Sequence, residues 1–171
     1  MEDINAEESE INGTQGRGVL VDHHSRRLEH IKKPNPDPRL VNFDHSATTP
    51  IPLEDIHACL KCQETEITFG DILFTRSVPQ PAFSFCSLEP SVPLFQFLWS
   101  NFSAVAGDQP SLEYWPPLAT RDPVNYGDEF SLHEVMLAGW GMPIGQVFDL
   151  EVLARESGYT NDHGSVAFHH S

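Results

Sequence analysis

Twelve of the fourteen prolines fall in three clusters that cut the chain into short stretches. Pro34, Pro36, Pro38 and Pro50 make the first cluster, Pro79, Pro81, Pro90 and Pro93 the second, and Pro110, Pro116, Pro117 and Pro123 the third. Each proline removes a backbone donor and pushes its predecessor toward extended backbone, so no long helix or wide strand can cross a cluster. Residues 23–50, 77–93 and 109–127 therefore read as irregular. The structured pieces must lie between them.

Val19-Leu20-Val21, ending at Asp22, reads as a short buried strand. A helix is expected from Pro52 to about Gln63, with Leu53, Ile56, Cys59 and Leu60 on one face. Ile67 to Phe69 and Ile72 to Thr75 read as strands around the Gly70-Asp71 turn. Pro93 opens a helix over Leu94 to Asn101, and Phe102 to Ala106 follows as another buried strand. Ser131 and Glu134 form a capping box for a helix ending near Gly139 or Gly141. An extended piece from Met142 to Phe148 then leads to Asp149, a cap for a helix over 150–156. Residues 1–11 read as a disordered acidic start, 12–157 as one partial domain, and 158–171 as a polar tail. Short strands mixed with helices suggest the α+β class.

Charge narrows the function. Ten basic against 25 acidic residues give a net charge of −15, which repels phosphate backbones and argues against nucleic-acid binding. The most apolar stretch, Leu94 to Trp99, is far shorter than the roughly 20 residues of a membrane span, and the acidic start is unlike a signal peptide. Three cysteines make no disulfide framework. A soluble cytoplasmic protein is the expectation.

Few motifs carry chemistry. Cys59 and Cys62 form a CxxC late in the expected helix, where the dipole does not lower a thiol pKa, and no second CxxC completes a zinc site; core or surface is its more frequent fate. His23, His24, His30 and His45, with Asp22 and Asp44, have the ligand types for zinc or manganese but lie in a stretch where such residues gather by chance. His163, His169 and His170 sit in the polar tail. Gly13, Gly16 and Gly18 precede a strand, the wrong order for a phosphate-binding loop. His133 stands out because it occupies the first turn of a capped helix, where the dipole disfavours imidazolium. A lone helix histidine is still more often structural.

Five blocks taken together carry a resemblance. Residues 12–22 (Asn-Gly-Thr-Gln-Gly-Arg-Gly-Val-Leu-Val-Asp), Ile51 to Ile56, Gly70 to Ser77, Phe102 to Pro110, and Leu132 to Gly145 with its Gly-Trp-Gly-Met-Pro-Ile-Gly run follow the order of blocks in the metal-dependent cyclase/hydrolase family that includes kynurenine formamidase, in a variant similar to fungal members. The resemblance implies a swivelling β/β/α fold, here incomplete, and a zinc or manganese ion. Such an ion lowers the pKa of bound water from about 16 to near 7. It implies a small aryl or cyclic metabolite as substrate, cleaved or closed at a C–N or ester-like bond, in tryptophan breakdown or secondary metabolism. It implies a homodimer. His133 matches a family metal ligand, Gln146 stands where the family has a glutamate ligand, and Asp108 and Trp140 fall at the substrate pocket. The upstream histidine-rich motif has no counterpart, and Val78 replaces a family glycine. The competing expectation is a truncated, catalytically inactive relative that acts only by association.

Overall fold

A computed structural model describes residues 16–41, 49–78, 86–114, 131–157 and 165–166. The described elements begin with β1 (Gly18–Asp22), α1 (His23–His30), α2 (Pro38–Val41), β2 (Thr49–Ile51), α3 (Leu53–Cys62) and β3 (Asp71–Arg76). They continue with β4 (Cys86–Leu88), α4 (Val92–Asn101), β5 (Phe102–Gly107), the π-helix α5 (His133–Trp140), β6 (Ile144–Gly145), α6 (Glu151–Glu156) and β7 (Ser165–Val166). Residues 1–15, His45, and most of the tail, with His163, His169 and His170, lie outside the described residues.

Apolar runs made the central strands legible. Val19, Leu20 and Val21 are almost fully buried, and strands buried on both faces read as continuous rather than alternating apolar runs. The large sheet has the order β6-β5-β3-β1-β7. Its inner pairs are parallel, and β7 closes the far edge antiparallel to β1. Parallel neighbours need crossover connections, and α3 and α4 lie on those between β1, β3 and β5. They bury Ile56 and Leu60, and Leu94 and Leu98, in one core with Leu73, Val105, Leu132 and Met136. The class is mixed α/β with parallel sheets: the expected mixture of short strands and helices is present, and its neighbouring strands run mostly parallel.

A second, smaller sheet pairs β2 with β4 in parallel. Residues 112–114 extend it. Leu88 bridges Glu113, Leu88 N–H donates to Leu112 O at 3.0 Å, and Tyr114 N–H donates to Leu88 O at 2.8 Å.

Three expectations need correction. The stretch 23–50 is not a plain loop, because α1, α2 and the start of β2 lie in it. The buried side of α1 consists of His23, His24 and Arg27, so it carries no apolar periodicity to read. Its start is written in Asp22, whose Oδ1 accepts from Ser25 N–H at 2.9 Å. Residues 86–88, assigned to an irregular stretch, form β4, too short to stand out beside Pro90 and Pro93. Ile67 to Phe69 is a turn rather than a strand: Asp71 N–H donates to Thr68 O, and Phe69 is 82% exposed.

Candidate functional site

In open parallel sheets, ligands bind beyond the carboxyl ends of the strands, and several polar side chains collect there in this chain. Asp22 ends β1, Arg76 ends β3, Asp108 follows β5 and Gln146 follows β6. The register Asp22↔Arg76 sets the first two side by side. Arg76 Nη1 donates to Asp22 Oδ1 and Oδ2 at 2.9 and 3.1 Å, and Nη2 reaches Glu151 Oε2 at 2.9 Å.

The capping box forms as expected. Ser131 N–H donates to Glu134 Oε2 at 2.9 Å, and Glu134 N–H donates to Ser131 Oγ at 3.1 Å. Met142 N–H donates to Met136 O, and Gly141 ends the helix at φ 68, the left-handed turn that favours glycine. The helix is wound as a π-helix, a rare form that is frequent at functional sites. His133 opens it with its side chain 35% exposed.

His133 sits in the middle of a three-residue chain. Its Nδ1 lies 2.8 Å from Glu113 Oε1, and its Nε2 lies 2.7 Å from Gln146 Nε2. Glu113 is buried, and its Oε2 accepts from Leu132 N–H. Gly145 delivers Gln146 to this position. A Cβ there would sit 2.9 Å from the Ala106 Cβ and 2.6 Å from the Phe148 ring, so only glycine lets β6 close on β5. Val147, directly after Gln146, has φ 58. That is a strained conformation for a β-branched residue, and such strain gathers at functional sites. Backbone bonds from Val147 N–H to Gln109 O and from Phe148 N–H to Gly107 O hold it, at 3.1 Å each.

The structure thus brings together His133 and Gln146, which sequence reasoning named, and adds Glu113, which it missed. Asp108 is buried at the end of β5, where its Oδ2 accepts from Ser77 and Val78 N–H at 2.8 and 3.1 Å. Burial pushes its pKa up. Trp140 closes α5 at the opposite end from His133, its ring 4.8 Å from Trp99 and 6.1 Å from Phe95.

The histidine cluster does not converge on a ligand site among the described residues. His23 and His24 are buried in the first turn of α1, and His30 Nε2 accepts from Asp37 N–H at 2.9 Å. Asp22 is committed to Arg76 and to the start of α1. The CxxC behaves as a helix-end pair, with Cys62 exposed and burial pushing the Cys59 thiol up to about 12.

Zinc or manganese would need several converging donors. Both ring nitrogens of His133 are already in hydrogen-bond contact, Gln146 presents its amide nitrogen to the ring, and no group of three or more His, Cys, Asp or Glu side chains suited to a metal exists among the described residues. The described donors do not fit the ion. Nor is any described helix long and apolar enough to cross a membrane.

Fold and site together define an α/β protein with a polar cluster at its strand ends. No protein-family model matches the sequence, and no curated protein matches it. Among solved structures, a crystal structure described as a novel cyclase aligns with a TM-score of 0.57 at 21% sequence identity. The alignment covers 89% of this chain and 46% of that cyclase, so the chain spans about half the length of its structural neighbour. At that identity the likeness establishes a shared fold.

Proposed function

We propose that this chain is a cyclase-like hydrolase acting on a C–N bond (amide, formamide or lactam) or an ester-like bond of a small aryl or cyclic metabolite. The observation that carries the reading is the continuous chain Glu113–His133–Gln146 on a cyclase-like fold. His133 is the group that moves the proton, through the ring nitrogen on the Gln146 side. There it accepts a proton from water as the water oxygen bonds to the carbonyl carbon. It then passes that proton to the leaving nitrogen or oxygen as the old bond breaks. Gln146 yields its place at Nε2 to the water. A swivelling β/β/α architecture belongs to the same reading, supported by the two sheets and their helices.

The test uses the full chain against an N-aryl formamide and an aryl ester. His133→Ala is expected to lower kcat by about 10²- to 10⁴-fold, the usual worth of a general base, with an unchanged far-UV spectrum. Metal analysis of the same two proteins is expected to give equal zinc and manganese content; a loss in the variant would place an ion on His133. Failure of folded wild-type protein to turn over either compound would favour the alternative, an inactive relative that acts by association.

A homodimer belongs to this proposal too. Val92, Trp99 and Leu137 expose 67%, 57% and 52% of their surfaces on α4 and α5, beside Trp140. Apolar faces of this kind are ones that subunits cover. Sedimentation at twice the 19.2 kDa monomer mass is expected, and a monomer for Trp99→Glu.

A further inference from the structure

We propose that Glu113 is a positioning residue that decides which nitrogen of His133 carries the proton. The inference deepens the hydrolase reading and rests on it for its catalytic meaning, but the geometry beneath it does not depend on any activity.

Three contacts fix the assignment. Leu132 N–H is a backbone donor and cannot accept, and it points at Glu113 Oε2. An ionised carboxylate only accepts, so Glu113 Oε1, 2.8 Å from His133 Nδ1, calls for a hydrogen on Nδ1. The neutral ring then has its lone pair on Nε2, where the Gln146 amide nitrogen stands 2.7 Å away and donates to it. Glu113 is 4% exposed, and its strand is tied to Leu88 on both sides by backbone bonds. The carboxylate is therefore held in place independently of the ring it orients. The basic nitrogen is the one turned away from it.

The Leu132 N–H makes this testable by one atom. In Glu113→Gln the side chain keeps its shape, but only its oxygen can face Leu132 N–H. Its NH2 group must then face His133 Nδ1. Two donors cannot share that contact, so Nδ1 loses its hydrogen and Nε2 gains it, while the Gln146 amide turns its oxygen inward. The variant holds the wrong tautomer in an otherwise intact site.

The measurement is the nitrogen-15 spectrum of histidine-labelled full-length chain at pH 8. The chain has nine histidines, and the His133 signals are assigned by their loss in His133→Gln. Wild type is expected to show Nδ1 protonated and Nε2 bare. Glu113→Gln is expected to show the reverse, with kcat lowered about 10²-fold or more and KM little changed. Gln146→Leu is expected to keep the wild-type tautomer, because Gln146 follows the choice and does not make it. Protonated Nε2 in wild type, an unchanged tautomer in Glu113→Gln, or a switch in Gln146→Leu would each overturn the proposal. Wild type and Gln146→Leu decide it even where Glu113→Gln does not fold. If the chain hydrolyses nothing, the spectra still test Glu113, so failure of the hydrolase reading is distinguishable from failure of this one.

Discussion

Replacing Arg76 with methionine is expected to destabilise the chain by about 3–5 kcal/mol in urea titrations at neutral pH. Arg76 has a side chain only 8% exposed and lies between Asp22, 4% exposed, and Glu151, 31% exposed. Breaking a buried ion pair costs more than the pair was worth, because the surviving charge stays out of water without a partner. Asp22 is that charge. It cannot turn away, since its Oδ1 also accepts from the first turn of α1 and its strand is paired with β3 along its whole length. The double variant Arg76→Met with Asp22→Asn should recover part of the loss, as it removes the stranded carboxylate. A single-variant loss under about 1 kcal/mol would mean that solvent reaches this cluster freely.

Acidification is the second large effect. Burial lowers the pKa of His23 to about 4, with Arg26 and Arg27 pushing the same way against Asp55 and Asp22. Burial also lowers His24 to about 4, helped by Arg76 and Arg27. Each leaves its Nδ1 without a hydrogen-bond partner among the described residues. In the unfolded chain both rings titrate near 6.5. Between about pH 6.5 and 4 the unfolded chain therefore takes up protons that the folded chain refuses. Stability is full above that window, declines as pH falls through it, and levels off below about 4. For His23 the decline amounts to roughly 3 kcal/mol, and His24 adds to it in the same direction. Asp108, whose pKa burial raises, works against the trend at the acid end. The His23→Leu variant isolates the histidine contribution: its urea midpoint should change less between pH 7.5 and 4.5 than that of wild type. Parallel profiles for the two would show that His23 is not buried.

What the sequence disclosed follows from how burial is written in it. Strands β1, β3 and β5 and helices α3 and α4 bury aliphatic side chains, so apolar runs and helical spacing revealed them. Ser131 and Glu134 announced α5 because a capping box is a local pattern, complete within four residues. Helix α1 stayed hidden because it buries His23, His24 and Arg27, whose burial depends on partners such as Asp55 that are far away in sequence. Glu113 stayed hidden for a related reason. It stands between Leu112 and Tyr114 near a proline cluster, and only the bridge to Leu88 and the arrival of His133 twenty residues later give it a role. Alternation across Leu112, Glu113 and Tyr114 was the one available hint of a strand there. His133 stood out by its place in the capped helix and Gln146 by the resemblance; the 2.7 Å contact between them is a property of the fold.

Glu113 is attached to the small sheet, whereas Gln146 hangs from the last strand of the large one. The imidazole between them thereby touches one residue carried by each sheet. A slide of one layer over the other would lengthen one of its two contacts. The reactivity of that ring would then report how the layers are seated, and changes far from it in either layer would be felt there first.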